Sequence, residues 1–256
     1  MIIAQITDTH IALDTPDAEQ RLQDFSRVVD DINTLDPAPD VIVHTGDIVH
    51  NGRLDEYEAA AAILAGARAP VYVMPGNKDD RSNLLKTFSP THHYLESGSP
   101  FIGYAVETFP VRLIMLDTLS AVSNKGDVCA ERLERLAAMI DAETEKPIVV
   151  FAHHPPIEVL VGPDRFHFED LGAMHALRNA LTRSGRVIQV ISGHVHRPYA
   201  GLVGAIPVNI ATCVATTLRR GDYPASMQGR PTYVLHRYDP DSGFSTETRI
   251  AGLQTL

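Results

Sequence analysis

Val187-Ile-Gln-Val-Ile-Ser-Gly-His-Val-His196 decides how the chain is read. Apart from Gln189, Val187 to Ile191 is apolar, the composition of a buried strand. The Ser192-Gly193 turn then carries His194 and His196 off its end. Residues two apart on an extended segment point to the same side. Two imidazoles placed together at the carboxyl end of a buried strand suit one metal ion or two adjacent ones.

The same design recurs upstream. Ile2 to Ile6 reads as a short strand delivering Asp8 and His10 at the same two-residue spacing. Leu22, Phe25, Val28, Val29, Ile32 and Leu35 recur every three or four residues and mark an amphipathic helix over Glu19 to Leu35, closed by the Pro37-Ala-Pro39 breaker. A second strand, Val41 to His44, runs into Gly46-Asp47, where a carboxylate could bridge two cations. After a helix from Leu54 to Gly66, the strand Pro70 to Met74 delivers Gly76-Asn77-Lys78, an amide oxygen beside a cation. Arg81 to Phe88 is a short helix, Phe101 to Val106 and Val111 to Asp117 are strands, and Ala130 to Glu143 is a helix. Pro147 to Phe151 is a further buried strand ending in His153-His154-Pro-Pro. Adjacent residues on an extended chain point opposite ways, so one of the two histidines faces the same centre as the other donors. Ala173 to Arg183 is a helix. Beyond His196, strands are expected near Tyr199 to Val203, Ile206 to Ile210, Thr232 to Tyr238 and Phe244 to Ile250. His92-His93 has no strand before it and is set aside as a metal tract.

Composition limits the alternatives. With 256 residues, 44% hydrophobic and 21% charged, the chain suits one globular domain, with residues 199–256 supplying C-terminal strands and a loop near the site's mouth. A net charge of -10 argues against an extended nucleic acid partner and an anionic membrane surface. Cys129 and Cys213 are too few for a disulfide framework and read as buried thiols, so the cytoplasm is the expected compartment.

Five strand ends thus carry Asp8 and His10, then Asp47, Asn77, His153 or His154, and His194 with His196. In order and spacing from Met1 to Pro198 this series resembles the calcineurin-like binuclear metallophosphoesterases, whose signature runs Asp-x-His, Gly-Asp, Gly-Asn-His, His, Gly-His-x-His. Within that family it is most similar to the class III cyclic nucleotide and glycerophosphodiester phosphodiesterases. The resemblance implies an α/β fold, a four-layer α-β-β-α sandwich of two mixed sheets flanked by helices. It implies that Asp8, His10, Asp47 and His196 hold one metal ion and that Asp47, Asn77, His153 and His194 hold a second. The ions would be Mn, Fe, Zn or Co, compatible with a thiolate-free donor set. Two cations ~3.5–4 Å apart can hold a hydroxide and clamp phosphoryl oxygens for in-line attack on a small phosphodiester, a 3′,5′-cyclic nucleotide or a glycerophosphodiester.

Lys78 departs from the signature, standing where the family has a histidine close to the phosphate. Lys78 and His194 are the candidate catalytic groups. Lys78 could neutralise phosphate charge and protonate the leaving oxygen. Asp79, His44 and His154 are candidates to support the ligands, and His50 and Asn51 to reach the mouth. In the Thr212 to Pro231 loop, Thr216, Thr217, Arg219, Arg220 and Tyr223 are candidates for phosphate or partner contact. A homo-oligomer is left open. The competing readings are a phosphomonoesterase or nuclease on the same centre, and a non-catalytic scaffold.

Overall fold

The computed structural model describes residues 1–95, 99–161 and 164–253. In chain order the elements are β1 (Ile2–Ile6), α1 (Ala18–Asn33), β2 (Val41–His44), α2 (Leu54–Leu64), β3 (Val71–Val73), α3 (Arg81–Phe88), β4 (Tyr104–Val106) and β5 (Arg112–Leu116). They continue with α4 (Ala130–Asp141), β6 (Ile148–Ala152), β7 (Leu160–Val161), β8 (Asp164–Arg165), α5 (Leu171–Thr182), β9 (Val187–Ser192), β10 (Tyr199–Val203), β11 (Ile206–Ile210), β12 (Thr232–Asp239) and β13 (Gly243–Ile250).

Among the described residues, one sheet runs β13-β12-β1-β2-β3, a second runs β10-β11-β9-β6-β5-β4, and β7-β8 form a separate hairpin. The β1-β2-β3 ladder is parallel, as is β5-β6-β9-β11. Antiparallel partners complete both sheets.

Alternation along the strands explains the layering. On β5 and β6, Leu113, Met115, Val149 and Phe151 join the core shared with β1, β2 and α1. The intervening Ile114, Leu116, Ile148 and Val150 pack with α4 and α5. Both faces of the central strands are therefore buried, which is why they read as continuous apolar runs. The α-β-β-α sandwich expected from the sequence is the architecture found.

Helix and strand ends shift by a few residues for local reasons. The first helix stops at Asn33 because Thr34 and Leu35 donate to carbonyls three residues back, tightening the last turn. The fourth strand starts at Tyr104, since the Ile102 amide donates to Asp117 Oδ2 at 2.9 Å instead of joining a ladder. Caps fix two helix starts: Asp80 accepts from the Asn83 amide and Asp170 from the Gly172 amide. The β7-β8 hairpin was not expected. Cys213 is buried as expected, whereas Cys129 is half-buried at the start of α4 and thereby corrects that reading.

Candidate metal centre

The parallel strands of the two sheets bring their carboxyl ends to one edge, where the loops after β1, β2, β3, β6 and β9 converge. The loops after β1 and β2 are tied together by Asp8 N to Gly46 O and His10 N to Asp47 O, each 3.0 Å. The turns after β6 and β9 are joined by Gly193 N to His153 O at 3.1 Å.

The backbone at this edge is strained. Asp8, His10, Asp47, His194 and His196 have φ of 53, 45, 50, 70 and 58°, and among the described residues they are the non-glycine positions with positive φ. Each such residue is held there against a steric cost of about 1–3 kcal/mol. Neighbouring glycines make room. A Cβ on Gly76 would sit 2.8 Å from His153 Cε1 and closer still to Asp47 N and Oδ1.

Asp8, His10, Asp47 and His196 place one donor atom each within 4.8 Å of one another, and all four are buried. His153, His154 and His194 form an adjoining group on the same criterion. Asp47 faces both ways: Oδ2 lies 3.4 Å from His10 Nε2, and Oδ1 lies 3.5 Å from His153 Nε2. Asn77 Oδ1 is 3.2 Å from the same His153 nitrogen.

Hydrogen bonding fixes which histidine nitrogens face inward. His153 Nδ1 donates to Thr45 O at 2.8 Å, and His196 Nδ1 donates to Leu218 O at 2.9 Å. Their Nε2 lone pairs are thus turned toward carboxylate and amide oxygens, acceptors facing acceptors. His10 Nε2 and His196 Nε2 are 3.0 Å apart, and Asp8 Oδ1, 3.2 Å from His196 Nε2, is buried with no hydrogen-bond partner. Such a confrontation of lone pairs is resolved by a cation at its centre, and the donor chemistry fits a first-row divalent metal.

Electrostatics agree. Burial alone would raise Asp8, but the imidazoles of His196, His10 and His153 hold its carboxyl well below the usual range. Burial opposes charge on His153, yet Asp47 and Asp8 raise it to about 9, so that position attracts positive charge. His194 is pushed down to about 3 by burial and by His153, leaving a neutral imidazole.

The supporting residues divide. The His44 ring accepts from the Gly46 amide at 3.3 Å and donates to Thr9 Oγ1 at 2.9 Å, whose hydroxyl donates to Ile48 O. Asp79 accepts from the Ile48, Val49 and Gly76 amides and from the Tyr57 hydroxyl, stitching the loops after β2 and β3 together. His154 Nδ1 accepts from Thr118 and Nε2 donates to Asn124 O, so this ring holds the neighbouring loop while His153 faces the donors. His50 Nδ1 is 3.5 Å from His10 Nδ1, whereas Asn51 turns away to donate to Glu56.

A cleft of about 540 Å³ opens over the cluster, and its lining includes Lys78, Asn124, Lys125, Phe166 and Arg220. Lys78 is tied by its amide to Asp47 Oδ1 at 2.7 Å, and its Nζ lies 3.4 Å from Asn124 Oδ1. Arg220 therefore faces the mouth, but Arg219 is spent on Met227 O, Cys213 O and Thr232 Oγ1. Thr216 and Thr217 donate to Asp24 and Asp17, and Tyr223 to His196 O, so these three hold the loop in place. His92 bonds locally to Phe88 O, in keeping with its exclusion. Asn124, Lys125 and Phe166 went unmarked because no strand end or motif flags them.

The calcineurin-like phosphoesterase family model matches residues 1–198. The chain belongs to the calcineurin-like phosphoesterase family. Among members of this family, the chain is 30% identical over 260 residues to a probable glycerophosphodiester phosphodiesterase of Arcobacter nitrofigilis, covering 98% of this chain and 94% of that one. It is 32% identical to a probable cyclic nucleotide phosphodiesterase of Rhodopseudomonas palustris, over 80% of this chain and 75% of that one. A dimetal phosphatase from Danio rerio shares the fold, with a TM-score of 0.73 at 15% identity, covering 98% and 99% of the two chains. No helix among the described residues is long and apolar enough to cross a membrane.

Proposed function

We propose that this chain is a binuclear metal-dependent phosphodiesterase acting on small phosphodiesters, with 3′,5′-cyclic nucleotides and glycerophosphodiesters as the two substrate classes to be compared. The observation that carries the reading is the two-sided placement of Asp47, with one carboxylate oxygen toward His10 and the other toward His153. Asp8, His10, Asp47 and His196 would hold one ion, and Asp47, Asn77, His153 and His194 the other. Manganese, or an iron and divalent pair, suits these donors.

When bound, such ions supply positive charge for the phosphoryl oxygens and an activated water. The chain's own residues do the rest. Thr45 O and Leu218 O orient the His153 and His196 rings, as second partners of metal-binding imidazoles do. Thr7 Oγ1 and the His194 amide hold Asp8 Oδ2 at 2.7 and 3.0 Å, leaving Oδ1 for the cluster. Neutral His194, buried beside His153, serves as donor and shapes the cleft floor. Lys78 neutralises phosphate charge from the cleft wall and gives a proton to the departing oxygen. Cytoplasmic location, a single domain over residues 1–256 with 199–256 flanking the mouth, and action without nucleic acid or membrane partners belong to the same proposal.

The test is hydrolysis of bis(p-nitrophenyl) phosphate beside p-nitrophenyl phosphate, using protein stripped of metal and refilled with manganese, and comparing wild type with Asn77→Ala. Metal-dependent diester turnover that collapses in the variant supports the reading. Preference for the monoester would replace it with a phosphomonoesterase.

A further inference from the structure

The two groups of donors are steadied from different parts of the chain. In the second group, His153 Nδ1 donates to Thr45 O, and Thr45 is itself fixed to β1 by its amide, 2.9 Å from Ile6 O. In the first group, His196 Nδ1 donates to Leu218 O, which lies 22 residues further on, in a loop and not in a sheet. That carbonyl ends a single 3₁₀ turn, Thr216–Leu218, closed by the Leu218 amide on Ala215 O at 3.0 Å. A lone turn fixes several dihedrals for one hydrogen bond, so it needs an anchor outside itself.

The anchor is α1. Asp24 is fully buried on this helix, whose other buried residues include Phe25, Val28 and Val29. Its Oδ2 accepts from the Thr216 amide at 2.9 Å and from the Thr216 hydroxyl at 2.6 Å, across 192 positions of sequence, and its Oδ1 accepts from Gln20 Nε2 at 2.7 Å. A buried carboxylate is costly unless its oxygens are satisfied, and here each oxygen has a partner. One turn earlier, Arg21 donates from Nη1 to His10 O at 3.0 Å and from Nε to Asp17 Oδ2 at 2.9 Å, and Thr217 donates to the same Asp17 oxygen. One helix therefore grips both histidines of the first group, His10 by its main-chain carbonyl and His196 through the carbonyl that its ring donates to.

We infer that Asp24 is a positioning residue for the metal ion shared by Asp8, His10, Asp47 and His196. It sets the place of Leu218 O, and with it the direction of His196 Nε2, while its own oxygens are taken up by Gln20 and Thr216. This rests on the binuclear reading above and adds to it that the two ions depend on different parts of the chain. The first is tied to α1 and the loop of residues 212–231, the second to the sheet. Removing a partner that orients a metal-binding imidazole lowers metal affinity by about 10–100-fold.

The experiment titrates manganese into stripped full-length protein and counts free ion by electron paramagnetic resonance, so that it reads binding and not turnover. Wild type is expected to bind two ions. In Asp24→Leu one binding step should weaken by about 10–100-fold while the other holds. In Asn77→Ala, which keeps the first ion's donors, the remaining step should weaken by the same factor when Asp24→Leu is added. Asp24→Asn should bind as wild type does, because an amide oxygen can take both Thr216 bonds. Thr216→Val removes one of those bonds and keeps the side-chain shape. It should show a smaller loss at the same step, and it carries the test if thermal melting finds Asp24→Leu unfolded. Equal weakening of both steps in folded Asp24→Leu would overturn the inference, leaving Asp24 a prop for the fold. Unchanged binding in Asp24→Leu and Thr216→Val would overturn it too. A loss in Asp24→Asn as large as in Asp24→Leu would do the same, since charge and not place would then be what the ion requires. Wild type that binds no manganese would remove the binuclear reading and this inference with it.

Discussion

Gly76→Ala is the substitution whose effect follows most directly from the backbone. The added methyl would lie 2.8 Å from His153 Cε1 and closer to Asp47 N and Oδ1, contacts that real Cβ atoms do not make. One neighbour is a main-chain amide, so no side-chain rotation relieves the clash, and the loop after β3 has to move away from the loop after β2. That separation strains the Ile48 N to Asp79 Oδ2 bond of 3.2 Å and the Lys78 N to Asp47 Oδ1 bond of 2.7 Å, which cross between the two loops. Overpacking of this kind costs about 1–3 kcal/mol, and the upper end applies where backbone must yield. For a chain of this size, ~3 kcal/mol lowers the melting temperature by roughly 6–12 °C. Because Asp47 and His153 are the residues displaced, metal content and diester hydrolysis should fall together. Gly185→Ala is the matched control: its φ is +69°, a Cβ there has nothing within 4 Å, and its cost is the left-handed backbone alone, about 1–2 kcal/mol with metal content unchanged. Differential scanning fluorimetry and elemental analysis read both effects. A Gly76→Ala protein with wild-type melting and wild-type metal content would refute the reasoning.

Three further outcomes are expected. His236 is buried between Gln5 Oε1 and Thr246 Oγ1, and burial depresses it to about 3. The unfolded chain therefore takes the proton first, so its contribution is complete above the unfolded value near 6.5 and is lost as pH falls toward 3. The slope is up to about 1.4 kcal/mol per pH unit. Urea denaturation at pH 7 and pH 5 should show this loss and His236→Gln should reduce it; an unchanged slope would count against the assignment. Lys78→Ala should lower kcat by about 10²–10⁴-fold on diesters with alkoxide leaving groups, with a much smaller effect for p-nitrophenolate, and Lys78→His should recover part of it. An equal loss on both leaving groups would make Lys78 a charge rather than a proton donor. Asp79→Ala strips the partner from three amides and the Tyr57 hydroxyl, and should cost about 3 kcal/mol or more in chemical denaturation. A cost below about 1 kcal/mol would show that water replaces the carboxylate.

Strand ends were legible because burial on both faces leaves an apolar run whose termination is abrupt. His194 and His196 could be paired from spacing alone, and so could Asp8 with His10. What spacing does not carry is the left-handed backbone at these residues, which arises from loops hydrogen-bonded across elements far apart in the chain. Asn124 and Lys125 sit in a loop whose place depends on Arg81 and Arg132 reaching Asp117 and Leu119 from two helices. Phe166 follows a hairpin too short to show a period. Arg219 and Arg220 look alike in sequence, and the structure sends one into the loop's own carbonyls and the other to the cleft. His153 and His154 separate as the alternation required, one toward Asp47 and one toward Thr118 and Asn124.

The most direct test of the central claim is a metal titration of stripped protein followed by bis(p-nitrophenyl) phosphate hydrolysis at each step, with Asp47→Asn beside wild type. The account predicts that wild type binds two ions per chain, that diester turnover rises with the second, and that Asp47→Asn loses both the second ion and the activity. Full turnover with no metal or with a single ion, or an Asp47→Asn protein as active as wild type, would contradict it.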